Sequence, residues 1–256
     1  MSPILITGLV LGGLFLLVAI GYINHIVERN RLEKARLRAD LNDRIRRCAN
    51  LSGSLPGQMM SPPLKQALTR LELQLAERLQ SLDRQDAKLR QRIADLQAEL
   101  AKGDGAEMRN PPQPIMSEAR AKEVRFMLED LSAQITHAAK QGLMDQNEAK
   151  RWMRECQRLS VMLHIELFGN VGKAALEQGQ PRQARLAFER AVQFIRKQPD
   201  PAPFQAQLKR LEAQLAHTNA LVLEQGAPQA DEPSALTDGL KEFDDEDIWK
   251  KKNIYE

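Results

Sequence analysis

The residues able to do chemistry are few and scattered along the 256-residue chain. Cys48 and Cys156 stand far apart without metal-type spacing, so neither a zinc site nor a disulfide framework is expected. That usage suits a reducing compartment. His25, His137, His164 and His217 are not paired with one another, or with a cysteine, at ligand spacing. The run Gly169-Asn170-Val171-Gly172-Lys173-Ala174 comes nearest to a phosphate loop. That loop needs a glycine five residues before Gly172 and a hydroxyl after the lysine, and here Leu167 and Ala174 occupy those places. The expectation is therefore no catalytic residue, no cofactor, no metal ligand and no enzyme. The alternative, a membrane-bound enzyme or regulatory subunit, would place its ligand pocket near Trp152, Arg158 and His164.

Binding chemistry is better represented. Phe243, Ile248, Trp249 and Tyr255 lie among Asp238, Glu242, Asp244, Asp245, Glu246 and Asp247 near the C-terminus. Apolar anchors flanked by acidic residues suit a linear docking motif that orders on a partner, the acids steering the encounter. A second set, Arg182, Arg185 and Arg190 with Arg196 and Lys197, suits a cationic groove for an acidic peptide. These two sets are the predicted partner-binding residues. Nucleic acid is not an expected partner: the net charge is only +3, and the basic helices carry few aromatics on which bases could stack.

The elements that must carry these groups begin with an apolar run. Ile4 to Ile23 holds twenty residues without a charge, and at about 1.5 Å per residue such a helix spans roughly 30 Å, a bilayer's hydrocarbon core. Only Met1, Ser2 and Pro3 precede it, whereas Arg29, Arg31, Lys34, Arg36 and Arg38 follow. A cleaved signal would carry its positive charge first. Basic residues mark the side that stays inside. An uncleaved transmembrane anchor over 1–25 is thus expected, with the N-terminus outside and the body in the cytoplasm at an inner membrane. Gly8 and Gly12 form a G-x-x-x-G pair, common in such helices.

A basic juxtamembrane helix is expected over 26–52, with eight basic and four acidic residues and an apolar stripe of Leu37, Leu41, Ile45, Cys48 and Leu51. Its basic residues would meet membrane lipid. Gly53, Pro56, Gly57, Pro62 and Pro63 end it. Over 64–102, Leu68, Leu75, Leu82, Leu89 and Leu96 recur every seven residues, the seam of a coiled coil. Its other core positions, Lys65, Glu72, Leu79, Asp86, Ile93 and Leu100, are partly charged. A homodimer through this rod is the expected assembly, and an intramolecular hairpin with the 26–52 stalk is its rival. A Pro-rich linker over 103–116 follows, stiff and extended.

Residues 117–226 read as helices alone. Ser117 caps the first, which Gly142 ends; Asp145 and Glu148 open a second that should end near Gly169; others flank Gly179-Gln180-Pro181. The tail, 227–256, has the composition of a disordered segment around its docking motif, with nine acidic and four basic residues from Gly226 onward.

Phe168, Val171, Gly172 and Ala175, then Ala184, Phe188 and Ala191 with Gly179 in the turn between, resemble one tetratricopeptide repeat over about 165–198. Small residues there let two antiparallel helices close while aromatics fill the gap. Val171 and Ala175 depart from the usual Leu and Tyr, Pro199 falls late, and no second copy follows. The resemblance implies a helical-hairpin domain with a peptide-holding groove. Together these readings describe an all-α chain: transmembrane helix, coiled-coil rod, tetratricopeptide-like domain and disordered tail. Its expected work is to gather cytoplasmic proteins as a scaffold, in a bacterial envelope, motility or division assembly. A purely structural coiled-coil spacer is the remaining alternative.

Overall fold

The computed structural model describes the backbone of residues 3–83, 85–103 and 110–224, with side chains from residue 20 onward. Every regular element among them is helical: α1 (Pro3–Ser54), α2 (Pro62–Leu82), α3 (Ala87–Ala101), α4 (Glu118–Lys140), α5 (Gln146–Glu177), α6 (Pro181–Arg196) and α7 (Gln205–Glu224), with 3-10 turns at Gly57–Met59 and Ala202–Phe204. The chain is all-α, as its periodicities imply. Among the described residues no helix is long and apolar enough to cross a membrane. The expected anchor falls mostly on residues 1–19, whose side chains lie outside the description, as do Gly8 and Gly12 and the whole tail from 225.

Two compact units divide the chain, Met1–Pro112 with Asp130–Met153, and Gln113–Glu129 with Arg154–Glu256. Of the expected helical domain 117–226, residues 130–153 group with the first unit.

In the first unit α1 runs on without a break from the apolar run into the stalk, no proline or glycine opposing it between 22 and 52. Leu41, Cys48, Leu71, Leu75, Ala76, Leu79, Leu89, Ile93 and Ala138 form its core. The heptad segment 64–102 is not one rod. It is broken at 83–86, where Asp83 ends α2 and the Asp86 carboxylate accepts hydrogen bonds from the amides of Lys88 and Leu89 to start α3. Leu68, Leu75, Leu89 and Leu96 are buried inside a single chain. The charged core positions explain why. Glu72 reaches across to Arg92 at 2.6 Å, Lys65 lies 3.8 Å from Glu99, and Asp86 caps. Residues costly in a dimer seam thus serve an α2–α3 hairpin.

The Pro-rich linker is extended, but it is not free. Asn110, buried, donates from its side chain to the carbonyls of Ser52 and Leu55 at 3.0 and 2.8 Å, closing the end of α1. The Gly57 amide donates to the Pro111 carbonyl, and a Cβ on Gly57 would collide with the Asn110 carbonyl oxygen. Only glycine permits that approach. Further on, Gly142 at φ 67° closes α4: its amide bonds to Ala139 and that of Leu143 to Ala138, a Schellman ending. Asp145 then caps α5 through the amides of Asn147 and Glu148.

The second unit holds the first half of α4, most of α5, and α6 and α7. Ser117 accepts from the Arg120 amide at the head of α4. Ile115, fully buried, donates its amide to Glu166 and offers its carbonyl to Asn170, fastening the linker's end to α5. Helix α5 does not stop at Gly169; it continues through Gly172 to Glu177. A helical glycine costs only about 1 kcal/mol, and packing offsets that here. Gly179, at φ 70°, ends α5 with a second Schellman pattern, Gln180 bonding to Ala175 and Gly179 to Leu176.

Candidate functional site

The surface holding the predicted arginines is built on α6. Pro181 starts this helix at a position where no amide is needed. Ala184, Ala187, Phe188, Ala191, Val192 and Ile195 make its inner stripe, buried with Ile165, Phe168 and Ala175 of α5 and Leu208 and Leu211 of α7. Contact between α5 and α6 is close enough that a Cβ on Gly172 would lie 2.6 Å from the Phe188 ring. A small residue thus faces an aromatic ring where α5 and α6 meet. His164 stacks on Phe194 at 4.7 Å between ring centroids and hydrogen-bonds the Ser160 carbonyl through Nδ1, and Phe194 meets Phe168 edge-on.

With that stripe buried, Arg182, Arg185 and Leu186 are turned outward and exposed, as are Arg196 and Lys197. Arg196 pairs with Glu212 of α7 at 2.6 Å. Glu189 is the acidic residue that α6 itself places in this face. Arg190 departs from the prediction. At 100° per residue it sits about 80° around the helix from Arg182, it is half-buried, and its Nη1 is buried without a hydrogen-bond partner among the described residues. Arg182 and Arg185 thus lie near the start of the exposed side of α6 and Arg196 and Lys197 at its far end, about 16 Å or more along the axis, while Arg190 lies on a different side. Leu186 was missed; its signal is an apolar residue one position off the stripe. Phe243, Ile248, Trp249 and Tyr255 lie outside the described residues.

The residues offered for a ligand pocket are engaged otherwise. In the first unit Trp152 is buried, its indole donating to Glu148, with the Arg151 guanidinium 5.0 Å from the ring centroid. In the second, Arg158 holds Glu155 through two hydrogen bonds of 2.9 and 2.7 Å, which lowers that carboxyl below its usual range. The phosphate-loop look-alike is helical throughout, so its amides are spent within α5. Burial pushes the Cys48 thiol up to about 12, with the Glu72 carboxylate adding to it, so the reactive thiolate is suppressed. A recess lined by Pro62, Lys65, Thr69 and Glu99 has room for no more than one water molecule. No cluster of metal-ligating side chains occurs among the described residues.

The surface offers two exposed arginines, Arg182 and Arg185, near the exposed Leu186. Comparison with protein-family models, with characterised proteins and with solved structures found no significant match.

Proposed function

We propose that the chain is a membrane-anchored scaffold that recruits soluble proteins through its helical body and its C-terminal motif. The observation that carries this reading is the uncharged run Ile4–Ile23 leading directly, within the one helix α1, into a basic stalk and a folded helical body. Such a run is the length a bilayer core requires, and the arginines behind it favour a cytoplasmic body. Two features support recruitment over catalysis. The α6 face presents Arg182 and Arg185 near Leu186, with Arg196 and Lys197 at its far end, and the tail carries Phe243, Ile248, Trp249 and Tyr255 among acids. Complementary charge would speed encounter, and the aromatic anchors would hold the complex.

The test begins with alkaline extraction of membranes carrying the full chain; an anchored protein stays in the pellet. Crosslinked pull-downs would then compare the intact chain with Phe243→Ala/Trp249→Ala and with Arg182→Glu/Arg185→Glu. Loss of particular proteins from the first variant assigns recruitment to the tail; loss from the second assigns it to α6. Identical partner sets in all three would overturn the recruiting role of both surfaces.

A further inference from the structure

Helix α1 carries one seam, and only half of it is covered. Written as heptads, positions 20, 27, 34, 41, 48 and 55 are Ile, Val, Lys, Leu, Cys and Leu, while 23, 30, 37, 44 and 51 are Ile, Asn, Leu, Arg and Leu. From Leu41 onward the seam is buried inside the chain: Leu41, Arg44, Cys48, Leu51 and Leu55 are between 0 and 5% exposed. Above Leu41 it is bare: Ile20, Ile23, Val27 and Leu37 are between 47 and 58% exposed, and every described residue from Ile20 to Asp40 is exposed. The cover stops where α2 stops. Arg38 donates to the carbonyl of Leu82, the last residue of α2, and beyond that point none of the described residues packs on the described side chains of α1.

Lipid cannot supply the missing cover along the whole seam. If the uncharged run occupies the hydrocarbon core, Leu37 lies about 21 Å past its end at 1.5 Å per residue. That is farther than the headgroup region reaches, roughly 5–8 Å on each side.

We infer that the bare seam of α1 pairs with the same seam of a second copy, as a parallel, in-register two-stranded coil over about residues 20–37. Three features select an identical, parallel partner. The positions flanking the seam carry opposite signs on its two sides, Glu33 and Asp40 on one and Arg31 and Arg38 on the other. In a parallel pair Glu33 of one copy meets Arg38 of the next, whereas an antiparallel pair would set like signs together. Both are accessible for this: the Glu33–Arg29 pair within the chain is solvent-exposed and easily exchanged, and Arg38 remains 45% exposed beside Asp83. Second, Lys34 is the one polar residue at its seam position between 20 and 55, and Asn30 would face its own copy across the axis. Such residues weaken a coil but hold its register and strand number. Third, the seam is continuous with the buried one below it, so the same stripe is satisfied in two ways, by α2 and its neighbours near the body and by a twin helix above.

The orientation argument gains from the anchor proposed above, since two anchors in one membrane point the same way and raise the local concentration of partners. The heptad and charge arguments do not depend on it.

The test is a cysteine scan of the full chain in its own membrane, one substitution at a time at Val27, Arg29, Asn30, Leu32, Lys34, Arg36 and Leu37. These side chains are exposed, so the fold is not at risk, and Cys48 and Cys156 are buried, so the unsubstituted chain supplies the background. A disulfide needs Cα atoms within about 7 Å. Oxidation should therefore give dimers at 27, 30, 34 and 37 in roughly tenfold excess over 29, 32 and 36. Equal crosslinking at all positions would mean random collision and overturns the proposal. So would the lack of any dimer, or seam-specific crosslinks to a protein of different mass. Should alkaline extraction release the chain, the scan is repeated in solution. Periodic dimers there would leave the seam standing while the anchor falls.

Discussion

The two units are held together by different means. The core of the first is crossed by charge: Arg44 is buried with Gln134 and Gln141 as its hydrogen-bond acceptors, and Glu72 is buried against Arg92. The second unit buries Arg125 as well, but its core cluster is apolar and its closest approach is steric, Gly172 against Phe188. Buried ion pairs contribute little net stability but penalise every arrangement that leaves one partner alone. Close-packed small residues stabilise through contact and tolerate almost no added volume. The first unit should thus answer to pH and to loss of a charge partner. The core of the second should answer to a single methyl group at Gly172, as the first does only at its Gly57–Asn110 edge.

The sharpest probe of that contrast is Gly172→Ala. An added Cβ would meet three Phe188 ring carbons at 2.6 to 2.9 Å, and overpacking of this kind costs about 2 kcal/mol net of helix propensity. Hydrogen exchange on the full chain should show α5 and α6 amides losing protection while those of α2 and α3 keep theirs. Comparable in size is the response of the first unit to Arg92→Ala. Glu72 would be left buried without its partner, at a cost of about 2 kcal/mol read from α2 amides, with α6 unmoved. If Arg92→Ala loosened α6 as strongly as α2, the contrast would be wrong.

A smaller effect separates two glycines of one helix. Gly169→Ala places its Cβ 3.9 Å from Leu211, an ordinary contact, so the gain in helix propensity prevails and stability rises by about 0.5 to 1 kcal/mol. Opposite signs at 169 and 172 would locate the steric seal at Phe188. Smallest is a pH effect. Burial raises the Glu72 carboxyl above its ordinary 4.5, despite the opposing Arg92 hydrogen bond. The folded state then binds this proton more tightly than the unfolded one. Stability from this group is complete below pH 4.5 and is lost as pH rises through the raised value. Unfolding of Glu72→Gln across pH 4 to 7 should lack that decline.

Much of the local structure was open to reading from residue types. The caps Ser117 and Asp145, the stop at Gly142, the glycine turn at 179 and the stripe from Leu41 to Leu51 all follow from short-range hydrogen bonding and helical period, and they occur where those rules put them. The exposed arginine face of α6 was half legible. The stripe that buries Phe188 turns Arg182 and Arg185 outward, but Arg190 stands on a different side.

The chain alone thus determined that its body is helical, where the capped and glycine-stopped ends at Ser117, Gly142, Asp145 and Gly179 fall, and that an uncharged run twenty residues long precedes a basic one. These are matters of nearest neighbours and of 3.6 residues per turn. Only the tertiary structure decided what covers each apolar stripe. A heptad of leucines is as well satisfied by a hairpin within the chain as by a second copy, and periodicity carries no information about which. The choice fell to Glu72 finding Arg92, Lys65 lying beside Glu99 and Asp86 starting a new helix, contacts between residues distant enough in sequence that only folding brings them together. That choice spent the obvious seam inside the molecule and left the Ile20–Asp40 stretch of α1 uncovered among the described residues.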